Sequence, residues 1–184
     1  MKLSGCNEDE LYDVVRALRM VFFDFDGVFT DNSVLVTEEG FELVRCSRFD
    51  GIGLRRLERT GVEPMILSTE VNPVVGVRSK KLKIACRQGC ENKSAALRET
   101  LIERGVELCQ VAFVGNDVND LQCLEMVGLS IVVHDAHPDV LSAARLRTER
   151  LGGHGAVREV CDFVAGIRET AARPSRDPHA QALV

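Results

Sequence analysis

The sequence predicts an α/β protein built on a doubly wound parallel sheet. Three observations predict it. The runs MVFF at 20–23, PMIL at 64–67 and VAFV at 111–114 are apolar without alternation, as strands covered on both faces must be. Stretches with a helical apolar period lie between such runs, the order of a βαβ chain. The runs also give way to Asp24, Ser68 and Asn116, at the strand ends where open parallel sheets bind their ligands. With 184 residues the chain is long enough for one well-buried domain and short for two.

The elements follow in order. EDELYDVVRALR, 8–19, has a helical period and an acidic first turn. MVFFDF, 20–25, reads as a buried strand. SVLV and FELVRC flank TEEG and suggest a small hairpin over 33–46. GIGLRRLERTG, 51–61, is a short helix stopped by Gly61. EPMILS, 63–68, is a second buried strand. In NPVVGVRSKKL, Asn72 caps a helix and Pro73 takes its first position. IACRQG is a short strand, and NKSAALRETLIERG a helix closed by Gly105. QVAFVG is a strand, DVNDLQCLEMVG a helix and LSIVV a strand. HPDVLSAARL, 137–146, and GAVREVCDFVAGI, 155–167, are the last helices. The whole is Rossmann-like, with a β-hairpin flap and no cap domain. Residues 1–19 form an N-terminal helix, 20–170 the α/β domain, and 171–184 a loose tail of breakers without a period.

Charge and cysteines exclude some functions. The net charge of −5 argues against a nucleic-acid surface. No apolar run has the length of a transmembrane helix, so no membrane partner is expected. The start, MKLSGCNEDELYDVV, lacks the basic-then-apolar order of a signal peptide, and the protein is expected to be cytoplasmic. Seven cysteines are scattered through apolar segments. Cys86 and Cys90 form the closest pair, but no second pair follows at zinc spacing, which favours buried free thiols over a metal site.

The strand-end rule gathers the polar residues at one sheet edge: Asp24 and Asp26, Ser68 and Thr69, Asn116 and Asp117. Asp120 follows one helical turn on, and Lys93 opens a helix just after a short strand. A carboxylate can attack phosphorus and hold an aspartyl-phosphate. A second carboxyl group can protonate the leaving oxygen and then activate water. The phosphoryl group is anionic, so it calls for a hard cation such as Mg²⁺ and for Lys93. Blander readings stand beside these. Ser68 is also a natural cap for the next helix, Lys93 alone is an ordinary surface residue, and Asp120 also suits a helix N-terminus. Cys123 and Cys161 lie on apolar helix faces, and His134 and His137 read as loop residues.

DFDGVFTD resembles the first motif of the haloacid dehalogenase superfamily, ILST the second, Lys93 the third and GNDVND the fourth. FDGIGLRRL, VGLSIVVHDAHPDV and GGHGAVREVCD look like the capless 3-deoxy-D-manno-octulosonate 8-phosphate phosphatases and their acylneuraminate-associated relatives. The resemblance covers residues 20 to 165. It implies a Mg²⁺-dependent phosphatase for a phosphorylated sugar acid. Asp24 would be nucleophile and metal ligand; Asp26 would be acid/base and bind the metal through its carbonyl. Ser68, Thr69 and Lys93 would hold the phosphoryl group. The third ligand would be Asn116, where the family has Asp, with Asp117 or Asp120 in support. Octulosonate phosphatases have Thr-Gly-Arg where this chain has Ser68-Thr69-Glu70, which is more like the acylneuraminate-associated relatives. The hairpin is too small for a lid, so a neighbouring subunit closes the site. The resemblance implies a homotetramer in which the hairpin and the glycine-rich GGHG segment meet adjacent protomers. The rival expectation is a phosphatase-like module with little turnover, serving oligomerisation or regulation of a cytidylyltransferase pathway.

Overall fold

A computed structural model describes residues 1–3 and 7–171. The tail expected at 171–184 lies outside the described residues, apart from Ala171. The chain runs β1 (Lys2–Leu3), α1 (Glu8–Ala17), β2 (Met20–Phe23), β3 (Thr30–Val36), β4 (Glu42–Cys46) and α2 (Phe49–Arg59). It continues with β5 (Glu63–Leu67), α3 (Val74–Leu82), β6 (Ala85–Arg87), α4 (Lys93–Arg104) and β7 (Val111–Gly115). It ends with α5 (Leu121–Met126), β8 (Leu129–Val132), β9 (Leu146–Arg147) and α6 (Ala156–Ala171).

One sheet has the order β1-β9-β8-β7-β2-β5-β6, parallel except for the β1–β9 pair. The chain builds outward from β2 through β5 to β6, then returns to the other side of β2 through β7 to β9. The carboxyl end of β2 is therefore a topological switch point, where the connections diverge and leave a crevice. Strands β2, β7 and β8 are buried throughout, as their unbroken apolar sequence requires.

α1 buries Leu11 and Val15 in the same core. α2 and α6 pack closely because Gly53 is small: a Cβ there would lie 2.8 Å from Arg158 Cδ and 3.0 Å from Cys161 Cβ. Between β2 and α2 the only insertion is the antiparallel hairpin of β3 and β4, which stands apart from the main sheet. Arg45 on the hairpin binds Asp31 at 2.7 Å and faces the His154 ring at 2.7 Å, tying the flap to the glycine-rich loop. No helix among the described residues is long and apolar enough to cross a membrane.

Local capping follows the sequence in most places. Asn92 Oδ1 accepts from Ala95 N, and Gly105 closes α4 with a left-handed backbone, φ 60°. Asn72 Oδ1 accepts from Val74 N at 3.0 Å, although the helix begins after Pro73 rather than at it. Two segments differ from expectation. DVNDLQCLEMVG opens as a 3-10 turn, Val118–Asp120, before α5. HPDVLSAARL is a 3-10 turn over Pro138–Ala143 followed by β9, not an α-helix. Its apolar residues are too few to separate the two, and pairing with β8 gives Leu146 and Arg147 a ladder that a helix would forgo.

Candidate active site

β2 carries the chain to the switch point, and Asp24 N extends its ladder by one bond to Val114 O, 2.9 Å. A tight turn follows. The N–H groups of Val28, Phe29 and Thr30 all point at Phe25 O, at 3.3, 2.9 and 3.2 Å. Phe25 and Phe29 are buried and stacked, with centroids 6.0 Å apart, which anchors the turn from beneath. Gly27 supplies the positive φ of 75° that reverses the chain. Asp24 is left buried at the strand end, and Asp26 half-buried above it.

Lys93, at the first turn of α4, is 3% exposed and reaches both Asp24 Oδ1 and Asp120 Oδ1 at 2.7 Å. Asp120 Oδ2 accepts Asn116 N at 2.9 Å and Asp117 N at 3.4 Å. It therefore serves the helix start and the lysine at once. Gly115 makes room, since a Cβ there would lie 2.6 Å from Asp120 Oδ2. Burial, then the charge of Asp120, push Asp24 up to about 7 against the pull of Lys93. Burial works against the Lys93 ammonium, but Asp24 and Asp120 outweigh it and raise its pKa. Burial, then the nearby charge of Glu70, raises Asp26, while Thr30 lowers it.

Asn116 closes the group. A Cβ on Gly27 would lie 2.0 Å from Asn116 Nδ2, so only glycine lets this side chain approach. The outer atom of the amide lies 3.0 Å from Asp26 O and 3.3 Å from Asp24 Oδ2. With nitrogen outward, the amide donates to both. With oxygen outward, three oxygens converge with no proton between them, and a cation is what stabilises that. Mg²⁺ with oxygens at about 2.1 Å in an octahedron sets neighbouring ligands about 3 Å apart, so a carboxylate, a backbone carbonyl and an amide here fit a hard cation. Cys86 and Cys90 form no disulfide.

Ser68 is buried at the end of β5; its Oγ accepts Glu70 N at 3.1 Å, leaving the hydroxyl proton for a ligand. A cavity of about 220 Å³ opens beside Asp26, lined also by Ser33, Glu42, Val44, Glu70 and Val74. Larger cavities exist elsewhere, but this one adjoins the carboxylates.

A model of the haloacid dehalogenase-like hydrolase family matches residues 76–158. The 3-deoxy-D-manno-octulosonate 8-phosphate phosphatase KdsC of Yersinia pestis is 34% identical over 85% of this chain and 84% of its own. The KdsC of Escherichia coli K12 is 36% identical over 80% and 79%. The chain belongs to the haloacid dehalogenase-like hydrolases. Within them it falls in the capless, KdsC-like subfamily. A 3-deoxy-D-manno-octulosonate 8-phosphate phosphatase from Moraxella catarrhalis, solved with magnesium, phosphate and KDO, superposes with a TM-score of 0.85. It is 28% identical, covering 89% of this chain and 95% of that one.

This haloacid dehalogenase-like hydrolase brings together Asp24, Asp26, Lys93, Asn116 and Asp120, with Ser68 at the adjacent strand end. Two expected residues stand apart. Thr69 is exposed on its loop. Asp117 spends its carboxylate on Val118 N, 2.7 Å away, as a cap. His137 is an exposed loop residue beside Asp139, outside the cluster. Thr30, the residue at the Thr/Ser position of the DFDGVFTD motif, was given no role from the sequence, yet its buried hydroxyl touches Asp26 Oδ1 at 3.3 Å.

Proposed function

We propose that the chain is a Mg²⁺-dependent phosphatase that removes phosphate from a sugar acid through an aspartyl-phosphate on Asp24. The observation that carries this is Lys93, buried between Asp24 and Asp120 at 2.7 Å from each. A lysine so held pulls Asp24 toward its charged form, against the burial that favours the neutral one. Asp24, Asp26 through its carbonyl, and Asn116 would hold the Mg²⁺. When bound, it supplies positive charge that favours ionised Asp24 and offsets the charge of the phosphoryl oxygens.

The Asp24 carboxylate attacks phosphorus, forming an O–P bond as the ester O–P bond breaks. Asp26, its pKa raised, delivers a proton to the leaving sugar oxygen. Now ionised, it takes a proton from water, which attacks the same phosphorus and restores Asp24. Lys93 and the Ser68 hydroxyl hold the phosphoryl oxygens, with Thr69 less well placed.

A cationic neighbour supports a substrate that bears a carboxylate. The cavity between the hairpin and α3, about 590 Å³, shares Val44 and Val74 with the cavity beside Asp26 and is lined by Arg48, Arg78 and Lys81. The likeness of Ser68-Thr69-Glu70 to the acylneuraminate-associated relatives supports an acylneuraminate-type phosphate over the octulosonate. We read the protein as a homotetramer whose exposed hairpin residues Leu35, Val36, Phe41 and Leu43 meet a second protomer. The six described cysteines are free, which suits the reducing cytoplasm. Asn116 supports a second reading, a module of little turnover, because the amide gives a cation a neutral oxygen in place of a charged one.

Phosphate release from a panel of ulosonate and nonulosonate phosphates, with and without Mg²⁺, tests both. Mg²⁺-dependent release from one panel member is expected. No release from any panel member at saturating Mg²⁺ would leave the second reading. Light scattering that gives a monomer at full activity would overturn the tetramer.

A further inference from the structure

We infer that Thr30 is a positioning residue: its hydroxyl fixes the Asp26 carboxyl group so that the other oxygen faces the leaving group. This rests on the reading of Asp26 as the proton carrier. Thr30 is fully buried, so no solvent competes for its hydroxyl. A hydroxyl has one proton and two acceptor lone pairs. Both acceptor sites are taken, by Gly27 N at 3.0 Å and Asn32 N at 3.2 Å. The proton then has Asp26 Oδ1, at 3.3 Å, as its acceptor. That distance is long for a hydroxyl donor, and such contacts tighten when substrate closes the site. The stiff β-branched side chain holds this rotamer better than serine would.

The backbone of Thr30 is itself clamped. A Cβ on Gly152 would lie 1.9 Å from Gly27 O and 3.2 Å from Thr30 O. A Cβ on Gly153 would lie 2.6 Å from Thr30 C and 2.4 Å from Asp31 N. Gly153 N also donates to Val28 O at 3.1 Å, and Gly152 N to Asp135 Oδ1 at 2.9 Å. The glycine-rich segment thus lies against the turn that carries Asp26. Glycine at both positions is what allows it.

The test compares two esters that differ in their need for a proton. The sugar-acid phosphate that the panel identifies loses a sugar alkoxide, which needs a proton from Asp26; 4-nitrophenyl phosphate loses a stable phenolate, which does not. Thr30→Val is expected to lower kcat/KM for the sugar ester by about 10- to 100-fold, and for the aryl ester by no more than about threefold. Thr30→Ser is expected to recover most of the loss. Thermal melts check folding, and Thr30→Ala replaces the valine variant should that one fail to fold. Equal losses on both esters, or none on the sugar ester, would overturn the proposal. A wild type that releases phosphate from no member of the sugar-acid phosphate panel and not from the aryl ester overturns the phosphatase reading instead.

Discussion

Asp24 and Asp50 are both buried acids whose pKa is pushed up to about 7. Their surroundings differ. Asp24 shares Lys93 with Asp120, and each bond is 2.7 Å. Asp50, the second residue of α2, is 1% exposed, and neither of its oxygens accepts a hydrogen bond of good geometry. Burial raises its pKa, while Arg78 and the nearby Arg158 N–H pull it partly back. Arg78 is itself incompletely satisfied: its Nη2 donates to Ser47 O at 2.7 Å, but its Nε is buried without a partner. The difference is one of purpose. Asp24, the proposed nucleophile, must be ionised to attack, and Lys93 pulls it toward that form while burial and Asp120 pull the other way. Nothing in the proposed chemistry needs Asp50 charged, and it can take up a proton instead.

The largest effect that would break this comparison lies at Asp24. Asp24→Asn keeps the shape and the Lys93 contact but removes the proposed nucleophile. Turnover is expected to fall by more than about 1,000-fold, with a folded protein by circular dichroism. Wild-type phosphate release from the variant would show that Asp24 is as idle in catalysis as Asp50.

Next comes the cation between the acids. Lys93→Met leaves Asp24 and Asp120 buried and facing each other. Breaking a buried pair in this way costs about 3–5 kcal/mol, and the loss should be read in thermal melts. Melting at pH 5.5 is expected to recover part of it, because protonation of Asp24 relieves the facing charges. A variant as stable as wild type at pH 8 would mean that the cluster is more solvated than its burial implies.

Asp50→Asn probes the other side. The folded pKa of Asp50 lies above its unfolded value of 3.8. The folded state therefore holds the proton between about pH 4 and 7, where the unfolded state has lost it. Stability from this group is full below that window and is lost as pH rises through it, by at most about 1.4 kcal/mol per pH unit. The amide does not titrate, so Asp50→Asn should gain on wild type between pH 5.5 and 8 by about 1–2 kcal/mol, with activity unchanged. Parallel stability curves for the two proteins would show that Asp50 ionises freely in the fold.

The same contrast explains what the sequence could and could not show. β2, β5, β7 and β8 were legible because burial on both faces leaves an unbroken apolar run. The gathering of Asp24, Asp26, Ser68 and Lys93 followed from the strand-end rule. β1 and β9 are two residues each, too short to leave a pattern. The double duty of Asp120 depends on how far Gly115 lets it approach, and the hydroxyl of Thr30 on a turn that only three dimensions reveal. Asp50 and Arg78 are 28 residues apart on different helices, and no local spacing announces that burial unites them. Thr69 and Asp117 sit beside Ser68 and Asn116 in the chain, but Thr69 is exposed on its loop and Asp117 caps Val118 N.

The smallest expected effect sharpens the comparison at the metal. Asn116 is a neutral group placed where Asp24 and the Asp26 carbonyl already concentrate negative charge. Asn116→Asp adds a third negative group to that corner. Without a cation the new carboxylate resembles Asp50, buried and short of partners, so the variant should melt below wild type in chelator. With Mg²⁺ the added charge becomes an asset, because hard cations prefer charged oxygens. Calorimetry is expected to show binding tighter by about tenfold, or about 1.4 kcal/mol. The rise in melting temperature on adding Mg²⁺ should be larger than in wild type, since stabilisation by a ligand grows with the logarithm of its affinity. Release of phosphate at limiting Mg²⁺ should rise in step. Tighter Mg²⁺ binding without any phosphatase activity would favour the module of little turnover. Unchanged affinity would mean that Asn116 turns its nitrogen outward to Asp24 and Asp26 and is no ligand.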